Sequence, residues 1–169
     1  MYRYLLILLL LFTACDSGEK IGVADKGIKD FKVERYMGEW HEVARIDNRF
    51  ERGLTRVTAR YYRDSEGRIR VVNRGWNAEK NKWKEARGWI RTTEVSGRLR
   101  VSFFRPFYSD YRVLQVEEDY RYALVGGSRR NYLWILSREE EIPEDLVEEY
   151  TEKARELGYE VDRLIFFNK

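Results

Sequence analysis

At 169 residues the chain has the length of one domain, and its 32 Lys and Arg against 29 Asp and Glu leave a net charge of only +3. Charges of both signs are interspersed, which describes a solvated surface and not the basic footprint of a nucleic-acid binder. Two prolines beside five Trp, twelve Tyr and eight Phe suit a β-rich globular protein and argue against disorder.

The chain begins MYRYLLILLLLFTAC. One cation, Arg3, precedes an apolar run from Leu5 to Phe12, far short of the roughly twenty residues that span a bilayer. That is the length of a signal-peptide core, followed by the small residues Thr13 and Ala14 and then the sole cysteine, Cys15. The stretch FTAC resembles the lipobox of bacterial lipoproteins, with Phe12 where Leu is usual. The resemblance implies removal of residues 1–14 and acylation of Cys15; several acyl chains on one residue satisfy the two-signal requirement for stable anchoring. An ordinary signal peptide with an incidental cysteine is the alternative. An acylated Cys15 leaves no thiol for catalysis and none for a disulfide, although an exported protein would permit one. Residues 15–30 then read as the lipidated cysteine and a polar, aperiodic tether, DSGEKIGVADKGIKD. Fully extended, that tether would reach roughly 50 Å at about 3.3 Å per residue.

From Gly38 the pattern has a period of two. GEWHEVARI opens a first strand and ends near the Gly53 turn. LTRVTARYYRD places Val57, Ala59 and Tyr61 on one face. After the turn Ser65–Gly67, RIRVVNRGWN places Ile69, Val71 and Asn73 together. KWKEARGWIR follows a short loop, and after Ser96–Gly97 the stretch RLRVSFF aligns Leu99, Val101 and Phe103 against Arg98, Arg100 and Ser102. YRVLQVEE, YRYALVGG and YLWILSR complete eight strands. This hairpin spacing predicts an antiparallel all-β sandwich or barrel. Closing eight strands on themselves buries the apolar face and removes the edges, and such an interior is filled by side chains or holds one small ligand. IPEDLVEEYTEKARELG carries helix start and stop signals in Pro143 and Gly158, with Leu146, Tyr150, Ala154 and Leu157 on one stripe. VDRLIFF reads as a last short strand.

Three stretches carry a family resemblance. GEWHEVAR, with Gly38, Trp40 and Glu42, resembles the first lipocalin signature; EEDYRYALVGG, centred on Asp119 and Tyr120, resembles the second; YLWILSR, ending in Arg138, resembles the third. Together they resemble the bacterial lipocalins related to apolipoprotein D. The resemblance implies, over residues 31–169, an all-β, eight-stranded antiparallel up-and-down lipocalin barrel with one C-terminal α-helix and a final short strand. It also implies that the Arg138 guanidinium lies over the Trp40 indole at the closed end, a contact worth about 2 kcal/mol when desolvated. Trp40 then plugs the floor, and Gly38 lets the backbone pass close by. His41, the only histidine, is expected to face outward from the neighbouring position and to be structural, not a ligand or an acid–base group.

Parity from Trp40 carries Glu42, Ala44 and Ile46 inward; on other strands it carries Val57, Ala59, Tyr61, Val71, Asn73, Gly88, Ile90, Val101 and Phe103. The resemblance adds Tyr111 and Trp134. The expected ligand-lining set is therefore Ala44, Tyr61, Asn73, Phe103, Tyr111 and Trp134; the alternative is that these side chains simply fill the core. Glu42 is a buried carboxylate, expected to bond backbone groups near the floor in preference to catalysing. RPFYSDYR, 105–112, reads as a connection near the mouth, with Arg105 and Arg112 either meeting an anionic head group or simply exposed. No phosphate loop, nucleophile elbow or metal cluster is present in the sequence, so no catalytic residue, metal or cofactor is expected. The resemblance implies a membrane-anchored lipid carrier or store for a fatty acid or lysophospholipid in the bacterial envelope. A retinoid or tetrapyrrole binder, or a lipid-modifying enzyme using Glu42 and Asn73, are the alternatives. Nucleic acid is not an expected partner; monomer and homodimer both stay open. The outer membrane is the expected location, with Asp16 after Cys15 keeping the inner membrane open.

Overall fold

A computed structural model describes residues 27–167. The expected signal peptide, the acylated Cys15 and most of the tether lie outside the described residues.

Eight strands form the barrel: β1 Gly38–Ile46, β2 Leu54–Arg63, β3 Ile69–Asn77, β4 Lys82–Thr92, β5 Arg98–Phe104, β6 Phe107–Val116, β7 Tyr122–Gly126 and β8 Leu133–Ser137. Each is antiparallel to the next, and β1 pairs with both β8 and β2, so the sheet closes. Closure is what the alternation requires, because inward residues such as Val57, Tyr61, Val71 and Leu99 would otherwise sit on an uncovered face. A ninth strand, β9 Leu164–Phe166, adds to the far half of β1.

The core has two layers. Inside the barrel, Trp40, Tyr61, Val71, Ile90, Leu99, Val113, Val125 and Leu136 pack with Tyr36. Outside it, the helix α2, Glu144–Glu156, lays Tyr150 and Ala154 on Val43, Ala44, Ile46, Leu124, Leu133 and Ile135. Residues alternate between these layers along β7: Ala123 and Val125 face in, Tyr122 and Leu124 face the helix.

Four features differ from expectation. A helical turn, α1 Val33–Tyr36, precedes β1 and delivers Tyr36 to the barrel floor. Residues 107–112, expected as a connection, belong to β6, and the link from β5 is only Arg105–Pro106. The last strand is shorter than VDRLIFF, because Val161–Arg163 form a 3-10 turn ahead of it. The end of the expected tether is packed: the Ile28 amide donates to the Ser96 carbonyl at 3.2 Å, and Ile28 joins the inner cluster.

Candidate functional site

The closed end is built on Trp40, which is fully buried. Its indole N–H donates to the Tyr36 carbonyl at 2.9 Å, and the Arg138 guanidinium carbon sits 3.9 Å from its ring centroid. Arg138 also donates to the carbonyls of Glu39 and Met37, each at 2.7 Å, of Arg35 at 3.1 Å and of Tyr120 at 3.3 Å. One planar cation thus ties the segment before β1 to the turn after β6. Gly38 has φ +96°, and a Cβ there would lie 3.0 Å from Arg138 Nη1, so this close approach needs glycine. Asp119 Oδ1 accepts from the Arg121 amide, and Tyr120 takes a positive φ of 61° and donates through its backbone N–H to the Glu117 carbonyl. These signature residues order the floor. His41 lies between Thr58 and Ser137 in the sheet, on the face opposite Trp40.

Above the floor three tyrosines join hydroxyls. Tyr111 meets Tyr36 at 2.7 Å and Tyr61 at 2.8 Å. Burial pushes all three phenols up from their ordinary range, so they stay neutral donors and acceptors. A cavity of about 60 Å³ opens over them, lined by apolar groups of β2, β3, β5, β7 and β8 together with Tyr61, Asn73, Phe103, Tyr111, Trp134, Glu42 and Glu51. Five of the six expected lining residues meet there: Tyr61, Asn73, Phe103, Tyr111 and Trp134.

Ala44 does not. Between Glu42 and Ala44 the pairing of β1 with β8 shifts by one residue, a β-bulge. Beyond the bulge parity reverses. Ala44 and Ile46 pack beneath α2 in place of the interior, which corrects the inward expectation for both. Arg45 is only 1 % exposed; it donates from Nη1 to Glu42 Oε1 at 2.5 Å and from Nη2 to the carbonyls of Glu51 and Leu54 at 2.9 and 3.1 Å. Glu42 therefore bonds a side chain, not the backbone groups expected for it. Burial, then the charge of Glu51, push the Glu42 carboxyl up to about 8, against the opposing pull of Arg45.

Glu51 and Arg45 were missed from the sequence. Glu51 belongs to the loop after β1, where no periodicity assigns a direction. Its carboxylate accepts from Trp134 Nε1 at 2.9 Å and from Asn48 Nδ2 at 2.5 Å, which latches that loop to the cavity wall. The wall offers the carboxyls of Glu42 and Glu51 and the amide of Asn73, whose Oδ1 is buried with no hydrogen-bond partner among the described residues. No Lys or Arg is among the lining residues. Arg105 stands at the mouth, stacked 4.5 Å over Trp89, whereas Arg112 is buried beside Asp110 at 3.6 Å.

A closed eight-stranded barrel, with its floor plugged by a Trp–Arg pair and an apolar cavity reaching its other end, defines a binder of small hydrophobic molecules. The profile of the Lipocalin-like domain matches residues 31–169, and the chain belongs to that family. It is 43% identical over 144 residues to a protein of Vibrio cholerae named Outer membrane lipoprotein Blc, covering 83% of this chain and 84% of that one. The Temperature-induced lipocalin-1 of Arabidopsis thaliana is 34% identical over 146 residues, covering 81% of this chain and 78% of that one. Among solved structures, insecticyanin from the tobacco hornworm Manduca sexta superposes with a TM-score of 0.69 at 18% identity, covering 85% of this chain and 84% of that one, a likeness of fold.

Proposed function

We propose that this lipocalin is anchored through an acylated Cys15 in the bacterial outer membrane and carries or stores one single-chain lipid, a fatty acid or lysophospholipid. The observation that carries the reading is the chemistry of the cavity: mostly apolar side chains along the strands with a few polar groups among them. A flat tetrapyrrole or a ring-bearing retinoid asks for breadth, whereas an acyl chain asks only for length. The hydroxyls of Tyr61 and Tyr111 and the amide of Asn73 both donate and accept, which suits the glycerol hydroxyl and ester of a lysophospholipid. A lysophospholipid would leave its phosphate at the mouth, beside Arg105. The name Outer membrane lipoprotein Blc, borne by relatives at 41–43% identity, supports the anchor and the location.

At about 60 Å³ the cavity is below the roughly 300 Å³ at the lower end of ligand sites. Filling it therefore requires side chains to move, and Trp134 on its Glu51 latch and Phe103 at the rim are the two large ones outside the tyrosine cluster. Native mass spectrometry with lipid extraction, on protein purified without added ligand, tests the reading directly. One lysophospholipid or fatty acid per chain is expected. A bound pigment or retinoid would replace it, and turnover of an added phospholipid would favour the enzyme.

A further inference from the structure

Of the seven large apolar side chains exposed among the described residues, five stand at the open end of the barrel: Phe50, Trp83, Phe103, Phe104 and Phe107. Phe104 and Phe107 are 75 % and 71 % exposed and stack on each other at 6.3 Å; Phe50, at the tip of the loop after β1, is 65 % exposed. Isolated exposed rings need no explanation, but a ring of them around a mouth does. Cations sit among them. Arg74 lies 4.2 Å over Trp83, Arg49 4.7 Å over Phe50, and Arg105 beside Phe104 stacks on Trp89.

The charge is divided along the barrel axis. The open-end segments 47–56, 74–85, 104–107 and 127–132 carry ten Lys or Arg against four Asp or Glu. The closed-end segments 27–39, 63–68, 92–98, 116–122 and 138–145 carry eight against fourteen. A near-neutral chain is therefore basic and aromatic at one end and acidic at the other. Exposed Phe and Trp beside Lys and Arg are the composition of a surface that lies in a bilayer interface with anionic lipid.

We propose that the open end docks on an anionic phospholipid bilayer, with the three phenylalanines at 50, 104 and 107 entering the head-group layer. Phe103 belongs to both rim and cavity, so apolar surface runs from the bilayer to the binding site without a gap. The anchor permits this orientation. The described chain begins at the closed end, where Ile28 bonds Ser96. Gly27 lies twelve positions after Cys15, a reach of about 40 Å, and a barrel of ten-residue strands tilted by about 40° is about 25 Å tall. The tether is long enough to run back past the barrel. This inference uses the anchor proposed above for reach only; it does not depend on what fills the cavity.

The test places a tryptophan at each end of the full chain, Phe104→Trp at the rim and Glu118→Trp at the closed end. Each variant is reconstituted in phosphatidylcholine vesicles with or without phosphatidylglycerol, and the lipid mass on Cys15 is read on the same preparation. A missing anchor and an undocked rim are thereby told apart. Five native Trp emit in both variants, Trp83 at the rim among them, so each reading is the difference from wild type. We expect brominated acyl chains to quench the emission added by Phe104→Trp several-fold more than that added by Glu118→Trp. The difference should grow with phosphatidylglycerol and shrink near 1 M salt, where the screening length is about 3 Å. Equal quenching at both ends, or quenching indifferent to phosphatidylglycerol, overturns the proposal. So does a Phe104→Trp ring shielded from iodide but untouched by brominated lipid, since another protein copy would then cover the rim.

Discussion

Trp40 and Arg138 lie 98 positions apart and share one contact, which makes their energies inseparable. Truncating Trp40 to Ala removes a fully buried indole, a change that costs about 3–5 kcal/mol in cores. Arg138→Ala removes the cation over the ring and leaves the carbonyls of Glu39 and Met37 without that donor. Denaturant titration of both single variants and the double should show the double costing less than the sum. Strict additivity would mean that the contact contributes nothing. Glu42 makes the stability of the fold depend on pH. Its carboxyl rises from 4.5 to about 8 on folding, so between these values the folded chain holds a proton that the unfolded chain has released. A raised carboxyl stabilises at low pH, and its contribution is lost as pH climbs through that window. The unfolding midpoint of the wild type should therefore fall from pH 4.5 towards 8 relative to Glu42→Gln, which cannot titrate. Parallel profiles for the two proteins would show Glu42 ionised throughout and held by Arg45.

At the scale of elements, the contact between barrel and helix turns on small residues. A Cβ at Gly126, on β7, would meet Tyr159 Oη at 2.3 Å. That hydroxyl donates to the Gly127 carbonyl at 2.8 Å just after α2, so the ring cannot yield without breaking the bond. Gly126→Ala should destabilise by about 1–3 kcal/mol, as overpacking does, and hydrogen exchange should localise the loss to α2 and β9. Unchanged exchange there would mean Tyr159 relocates freely. The same layer explains what could be read from the sequence. β2, β3 and β5 were legible because their outer faces meet water, so Arg alternates with apolar residues. β1 was legible only as far as Glu42. Beyond it the outer face is covered by α2 and becomes apolar, Val43 and Ala44 are buried together, and the extra residue of the bulge turns Arg45 inward. The one local signal was that consecutive apolar pair followed by a charge. Tyr111 and Trp134 came from family likeness, since a bulge in β6 and the shortness of β8 blur their parity. Glu51, on a loop, had no signal.

For the whole molecule, the question is how a barrel this full admits a chain. Its floor is fixed by Trp40 and the three joined tyrosines, so depth cannot change; space must come from the rim. Phe103 is the rim side chain that also faces the cavity, and Trp134 is held at the wall by its bond to Glu51 and its stacking on Tyr132. Each methylene moved from water into the barrel is worth about 0.8 kcal/mol, close to fourfold in affinity. Lysophospholipids of increasing chain length, titrated by calorimetry, should therefore bind progressively tighter and then stop improving where the chain meets the tyrosine floor. Phe103→Ala widens the upper cavity without touching the floor. It should weaken binding at every length by removing contacts, yet leave the length at which the gain stops unchanged. Tyr111→Ala lowers the floor and should move that length upward, provided the fold persists by circular dichroism. If Phe103→Ala moved the limit and Tyr111→Ala did not, the chain would be lying across the mouth and not along the barrel axis.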